Sequence, residues 1–374
     1  MVTSLYIHVP FCKRKCVYCN FYSDIYEEEV ASSYMDALAS QIQQLEYNIS
    51  SIYIGGGTPT ALSTCLFEKM LKSLKPLVKN VSEFTVEANP ESLDEERVMI
   101  MLDSGVNRIS IGMQSIDDRK LKKIGRIHNS RKAVESVHLA AKRGFKNVSI
   151  DLIFGLWGES AERWKKELEE AAKLPVTHVS CYELTYEKGT PLFFAASNKS
   201  ITPLEDESVA GMYELAIDML SLRGFKQYEV SNFALEGCES KHNLNYWDNG
   251  QYLGLGPSAF SYIGGVRKKN VSGIKDYIIR AENGNDLTDF SEKLPPLETA
   301  KETAAVKIRT KGGIDFEWFT AKTGYDFNKI ERNAIAELIE KGLIKYKKDN
   351  NVPTGICLKR KGFLFCDTVS SALL

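Results

Sequence analysis

A chain of 374 residues, 43% hydrophobic and 26% charged, is long enough for one large domain and a smaller one, and has the composition of an ordinary globular protein. Its net charge of −1 gives no global case for a nucleic acid or an anionic membrane as partner; either would need a local patch. No apolar leader-like core opens the chain and no run of about 18 apolar residues follows, so neither a secretory signal nor a spanning helix is expected.

The first predicted element is a strand, Leu5-Tyr6-Ile7-His8-Val9. It runs into Cys12, Cys16 and Cys19 at C-x3-C-x2-C spacing. Three thiolates on one loop can converge on a single soft centre such as zinc, copper(I) or an iron–sulfur cluster. A structural zinc wants a fourth protein ligand, and here Phe21 and Tyr22 follow instead. A cubane held by three cysteines leaves one iron open to a small molecule. A zinc loop and three unrelated buried thiols remain alternatives at this point. The other cysteines, Cys65, Cys181, Cys238, Cys357 and Cys366, stand singly, which is no disulfide framework and points to a reducing, cytosolic setting.

Beyond the loop, Glu28 to Leu45 carries Val30, Tyr34, Leu38, Ile42 and Leu45 at helical spacing. The strand Ile52-Tyr53-Ile54 then leads into Gly55-Gly56-Gly57-Thr58-Pro59-Thr60. A helix over Cys65 to Val78 precedes the strand Phe84-Thr85-Val86-Glu87. Ser92 with Glu95 forms a capping-box signature for the next helix, and Gly105 suits its stop. Strands at Arg108–Ile111, Val148–Asp151 and His178–Cys181 alternate with helices at Arg131–Arg143 and Ala161–Leu174. Steps of roughly thirty residues between strands match βα units and predict a parallel sheet, curled as a barrel or open and doubly wound.

In βα barrels the site gathers at the carboxyl ends of the strands. The first five ends here carry the cysteines, the glycine run, Glu87, Gly112-Met113-Gln114 and Asp151. Taken singly, each has a plain reading. The glycine run is a tight turn, and without a following Gly-Lys-Ser/Thr it is no P-loop; Glu87, Gln114, Arg126 and Asp151 could be solvated groups, caps or surface ion pairs. Five polar strand ends in succession suggest one site.

The character of the sequence shifts after Phe233, dividing 1–232 from 233–374. Lys241-His242-Asn243-Leu244-Asn245-Tyr246-Trp247 places a histidine beside flat aromatic faces. His242 could ligate iron through a neutral imidazole, or be a satisfied core residue; Cys238 reads as a buried thiol. From Asn328 a helix with Ala334, Ile335, Leu338 and Ile339 on one face stops at Gly342, and a hairpin follows over Leu343–Tyr346 and Ile356–Leu358. Helix plus hairpin resembles a winged helix. Lys345, Lys347, Lys348, Lys359, Arg360 and Lys361 make it basic, readable as an anion-binding surface or as a solvated wing.

The cysteine loop after an N-terminal strand resembles that of the radical S-adenosylmethionine superfamily. Tyr6-x-His8-x-Pro10-Phe11-Cys12, Gly55–Thr60, Glu87-Ala88-Asn89-Pro90, Gly112-Met113-Gln114-Ser115, Gly125-Arg126-Ile127-His128 and Asp151–Leu156 resemble, in order, the oxygen-independent coproporphyrinogen III oxidase family within it. The resemblance implies an α/β fold: a partial (β/α)6 TIM-like barrel with a smaller C-terminal α+β, winged-helix-like domain. It implies a [4Fe–4S] cluster on Cys12, Cys16 and Cys19, with S-adenosyl-L-methionine on the open iron. Tyr6, Gly56 and Glu87 match contacts to that cofactor. Tyr18, Gly57, Thr58, Gln114, Arg126 and Asp151 match positions around a second cofactor or substrate molecule.

Phe21 stands where the oxidases carry a further cysteine, and the first strand begins near residue 5, where the oxidases have a long preceding extension. With H-N-x-x-Y-W at His242–Trp247 and Tyr252–Ala259 after it, these departures resemble the HemW branch, the haem chaperones of the family. That branch implies haem as ligand with His242 at its site, and transfer to an acceptor protein at a membrane. The singly placed cysteines point to a cytoplasmic location, to which haem delivery would add contact with a membrane surface, and the net charge of −1 argues against a nucleic-acid partner. The alternative is the oxidase itself, decarboxylating coproporphyrinogen III to protoporphyrinogen IX, and whether the protein is an enzyme stays open.

Overall fold

The computed structural model describes residues 2–374. Six strands, β1 (Ser4–Val9), β2 (Ser51–Gly56), β3 (Glu83–Ala88), β4 (Arg108–Gln114), β5 (Asn147–Phe154) and β6 (His178–Glu183), pair in sequence order and in parallel. Each is followed by a helix: α1 (Glu28–Gln43), α2 (Thr64–Ser73), α3 (Glu95–Asp103), α4 (Ser130–Arg143), α5 (Ala161–Ala171) and α6 (Asp206–Ser221). This is the expected partial (β/α)6 barrel, an open sheet with two edges.

Strand alternation decides what each face does. Leu5, Ile7, Ile52, Ile54, Phe84, Val86, Ile109, Ile111, Val148 and Ile150 are all buried in the main hydrophobic core. Burying such side chains contributes roughly 1.5–3 kcal/mol each. Their alternates, among them Tyr53, Glu87, Arg108, Ser110, Asp151, His178 and Ser180, face the inside of the barrel and line one cavity of about 440 Å³. Closed barrels fill this space with branched apolar layers. Here it is polar and hollow.

Two local expectations are corrected. The cap of α3 is Asp94, whose carboxylate accepts from Arg97 N at 2.8 Å. Ser92 lies in a preceding 3-10 turn, its hydroxyl 2.7 Å from that of Thr60. α2 ends at Ser73 rather than near Val78, which opens a separate short turn. Gly105 does follow the α3 terminus with φ +85, as a C-terminal stop requires.

The sheet continues past residue 232. β7 (Asn232–Ala234) lies antiparallel to β6, and the short helix α7 (Lys241–Trp247) crosses to the amino ends of the strands. There the buried Glu83 carboxylate accepts from Ser240 Oγ at 3.1 Å, Lys241 N at 2.8 Å and His242 N at 3.0 Å. β8 (Tyr252–Leu255) then pairs in parallel with β1. β9 (Phe260–Ile263), β10 (Val266–Asn270) and β11 (Thr288–Lys293) extend that edge as an antiparallel meander. The barrel is thus floored by α7 and open at the carboxyl ends of its strands.

The C-terminal part carries a separate three-stranded antiparallel sheet, β12 (Ile314–Asp315), β13 (Ile344–Asp349) and β14 (Val352–Leu358), with helices before the hairpin. Asn350 and Asn351 turn the hairpin at φ 48 and 67, the left-handed conformations a two-residue turn demands. Part of the basic run is docked: Arg360 pairs with Asp218 of α6 at 2.6 Å. Among the described residues no helix is long and apolar enough to cross a membrane.

Candidate cofactor site

The cysteine loop is anchored at both ends. Phe11, buried against Tyr26 and Tyr34, leads into Cys12, and both pair with Asp24 and Ile25 across the loop's base. Cys19 N donates to Cys16 O at 3.3 Å, a tight turn between the last two thiols. The glycine run lies flat on the loop's root, with Gly57 N on Val9 O at 2.8 Å and Thr58 N on Phe11 O at 2.7 Å. A Cβ on Gly57 would sit 2.6 Å from Phe11 O, and one on Gly56 would sit 2.5 Å from the His8 ring, where φ is also +106. Backbone this close to backbone permits only glycine.

Cys12, Cys16 and Cys19 line one cavity and form no disulfide. Cys12 Sγ is 3.7 Å from Thr58 Oγ1, and Arg126 Nη1 donates to Cys16 Sγ at 3.5 Å. Arg126 Nη2 also donates to Asn89 Oδ1 at 2.6 Å and Gly112 O at 2.9 Å, while Asn89 Nδ2 donates to Thr58 Oγ1 at 2.7 Å. One chain of contacts therefore runs from Cys12 through Thr58, Asn89 and Arg126 to Cys16. Burial raises the Cys12 and Cys19 thiols, so a cationic centre is needed to hold them as thiolates.

Among the described residues no three His, Cys, Asp or Glu side chains converge closely enough for a single metal ion. A structural zinc closes its shell with a fourth protein ligand. Three cysteines lining one cavity, with room beside them for a bound molecule, fit a cluster that keeps one iron open.

Deeper in, Tyr53 OH donates to Glu87 Oε1 at 2.6 Å and Gly56 N donates to Oε2 at 3.3 Å. Burial, only partly offset by these donors, pushes Glu87 up to about 7. Asp151 is likewise raised by burial, with the Ser110 hydroxyl 3.5 Å from both its oxygens. Gln114 ends β4 at φ 66, a left-handed conformation that costs a side-chain-bearing residue of order 1–3 kcal/mol and marks functional turns. Burial raises the Tyr18 hydroxyl beside Arg126.

The structure thus gathers Cys12, Cys16, Cys19, Tyr18, Gly56, Gly57, Thr58, Glu87, Gln114, Arg126 and Asp151 around one cavity. Tyr6 stands behind that lining: its hydroxyl meets His8 Nδ1 at 2.9 Å, and His8 Nε2 donates to Tyr22 O at 2.8 Å.

His242 is not brought to the site. It is fully buried in the barrel floor, with Nδ1 3.0 Å from Ser51 Oγ and Nε2 2.9 Å from Tyr246 OH. Burial and then Arg108 push it down to about 3, so it is neutral. Both nitrogens are engaged, the arrangement of a satisfied core residue, and a haem-ligand role for His242 would require one of these contacts to be given up.

Three residues escaped the sequence reading. Asn89 links Arg126 to Thr58, Glu83 holds the floor helix, and Arg108 lines the cavity as a buried cation. Arg108-x-Ser110-x-Gly112-x-Gln114 shares one strand face, a pattern that alternation alone would have shown.

A three-cysteine loop at the open end of a partial βα barrel defines a radical S-adenosylmethionine protein, and the Radical SAM superfamily model matches residues 6–171. The HemN C-terminal domain model matches residues 294–365. The structure of coproporphyrinogen III oxidase (HemN) from Escherichia coli superposes with a TM-score of 0.85 at 21% identity, covering 100% of this chain and 90% of that one, a likeness of fold. "Heme chaperone HemW" of Bacillus subtilis is 35% identical over 99% of both chains. That of Lactococcus lactis is 37% identical over 91% of this chain and 90% of the relative. The chain belongs to the HemW family.

Proposed function

We propose that this protein is a haem chaperone: it binds haem, carries a [4Fe–4S] cluster with S-adenosyl-L-methionine, and passes the haem to an acceptor protein. The supporting observation is the end-to-end likeness to relatives named as haem chaperones. Phe21, at the position where the oxidases carry a cysteine, fits that reading.

Cys12, Cys16 and Cys19 would hold the cluster. Bound there, cluster and cofactor supply one-electron radical chemistry. The chain's own residues do the positioning. Arg126 offsets thiolate charge at Cys16 and, through Asn89, fixes the glycine run beside the loop. Gly56 and Glu87 would receive the cofactor's polar groups, Glu87 exchanging a proton near neutral pH. Tyr18, Gly57, Thr58, Gln114 and Asp151 would complete the wall, and Tyr6 would steady it through His8. The acceptor would be met in the cytoplasm or at a membrane surface.

The test is anaerobic incubation of cluster-loaded protein with coproporphyrinogen III, reductant and S-adenosyl-L-methionine, alongside haem titration. Stoichiometric haem binding without divinyl product is expected. Sustained turnover to protoporphyrinogen IX would replace this reading with the oxidase.

A further inference from the structure

The mouth of the cofactor cavity carries a surface that the barrel does not need. Lys13, Arg14 and Lys15 stand in a row between the first two cysteines, all exposed. Among the described residues no carboxylate lies within ion-pairing distance of them. The cation hydrogen-bonded to a thiol is Arg126, at Cys16, and none of these three. Lys13, Arg14 and Lys15 are therefore left without an ion-pair partner in the fold.

Arg14 and Lys15 line the cavity together with Phe21 and Tyr182. Phe21 is 66% exposed, and Tyr182 is 42% exposed although its hydroxyl is buried in the barrel, so both present ring surface at the same opening. A single exposed ring needs no explanation, but two rings framing one cavity under a row of free cations mark a contact surface. Its occupant must offer a flat apolar face and an anionic edge. Haem has both, a macrocycle with two propionates on one side.

We propose that haem docks at the mouth of the cofactor cavity, its macrocycle against Phe21 and Tyr182 and its propionates on the Lys13-Arg14-Lys15 row. The proposal rests on the haem-binding reading above. It puts haem at the carboxyl ends of the strands, while His242 sits under their amino ends against Ser51. Recognition then runs through edge and face and needs no iron ligand from the floor helix.

The experiment is anaerobic titration of the full-length, cluster-loaded protein with haem, haem dimethyl ester and metal-free protoporphyrin IX. Failure of the wild-type protein to bind haem would sink the chaperone reading itself. With binding established, Arg14→Glu combined with Phe21→Ser is expected to weaken haem by about tenfold or more, the worth of one charge-assisted contact or a buried ring. The dimethyl ester should bind the wild-type protein about tenfold more weakly than haem, and metal-free protoporphyrin within about threefold of it. The cluster's absorption spectrum should not change. Wild-type affinity in the double variant, or an ester that binds as tightly as haem, overturns the proposal. If the loop variant fails to load its cluster, Tyr182→Ser, which lies outside the loop, is read by the same criteria.

Discussion

Glu87 shows how a single carboxyl couples the cavity to pH. In the fold it titrates at about 7, against 4.5 in the open chain. Between those values the folded protein keeps a proton that the unfolded chain has released, so this group's contribution to stability falls as pH rises from about 4.5 to about 7 and is level above it. Glu229, buried where residues before the floor helix meet Thr310, is also raised to about 7 by burial and adds in the same direction. The histidines His8, His178 and His242, all lowered by burial, act the other way below their ordinary 6.5. The test is therefore a difference: from pH 5 to pH 8 the denaturant midpoint of cofactor-free Glu87→Gln/Glu229→Gln should rise more, or fall less, than the parent's. An unchanged slope in the double variant would show that other groups set the pH dependence.

At this scale the cysteines were legible because spacing on one loop is a local property, and Glu87 because a strand end is. Arg108 was missed because it starts its strand and the rule of carboxyl ends does not look there, although the alternation along that strand carries it. His242 was readable either way from its neighbours, because its contact to Ser51 joins segments 191 residues apart.

Among elements, period and length were read well and starts less well. Periodicity placed α1, α4, α5 and the C-terminal hairpin, because an amphipathic stripe or a pair of asparagines in a turn is written in consecutive residues. The start of α3 was misassigned because Ser92 and Asp94 both suit a cap, and the buried Thr60 hydroxyl claims the serine. Asp94→Ala should cost about 1 kcal/mol in chemical denaturation and speed hydrogen exchange at the Arg97 amide. Ser92→Ala should leave that amide's exchange as in the parent. Equal protection at Arg97 in both variants would place the cap elsewhere.

The whole molecule depends on contacts that no local pattern announces. The floor forms when Glu83 meets Ser240, Lys241 and His242, partners 157 to 159 residues away. A buried donor left without its partner costs about 1–3 kcal/mol, so Glu83→Ala, which unpairs the buried Ser240 Oγ and His242 N, should cost at least about 2 kcal/mol. A loss below about 1 kcal/mol would mean that water replaces the carboxylate and the floor is less closed than the contacts imply. The fold class was legible because six βα units repeat. The closing of the barrel's first edge by β8 was not, since its parallel pairing with β1 joins segments about 250 residues apart.

That edge has a consequence for how the protein is made. Tyr22, at the end of the cysteine loop, accepts at its hydroxyl from Ile274 N at 3.0 Å, across 252 residues, and β1 gains its second neighbour only when Tyr252–Leu255 has arrived. Chains leave the ribosome from the amino end and fold as they lengthen. Cys12, Cys16 and Cys19 are therefore made more than 200 residues ahead of the segments that complete the wall beside them. Until those segments arrive, the three thiols stand beside an unfinished edge of the sheet.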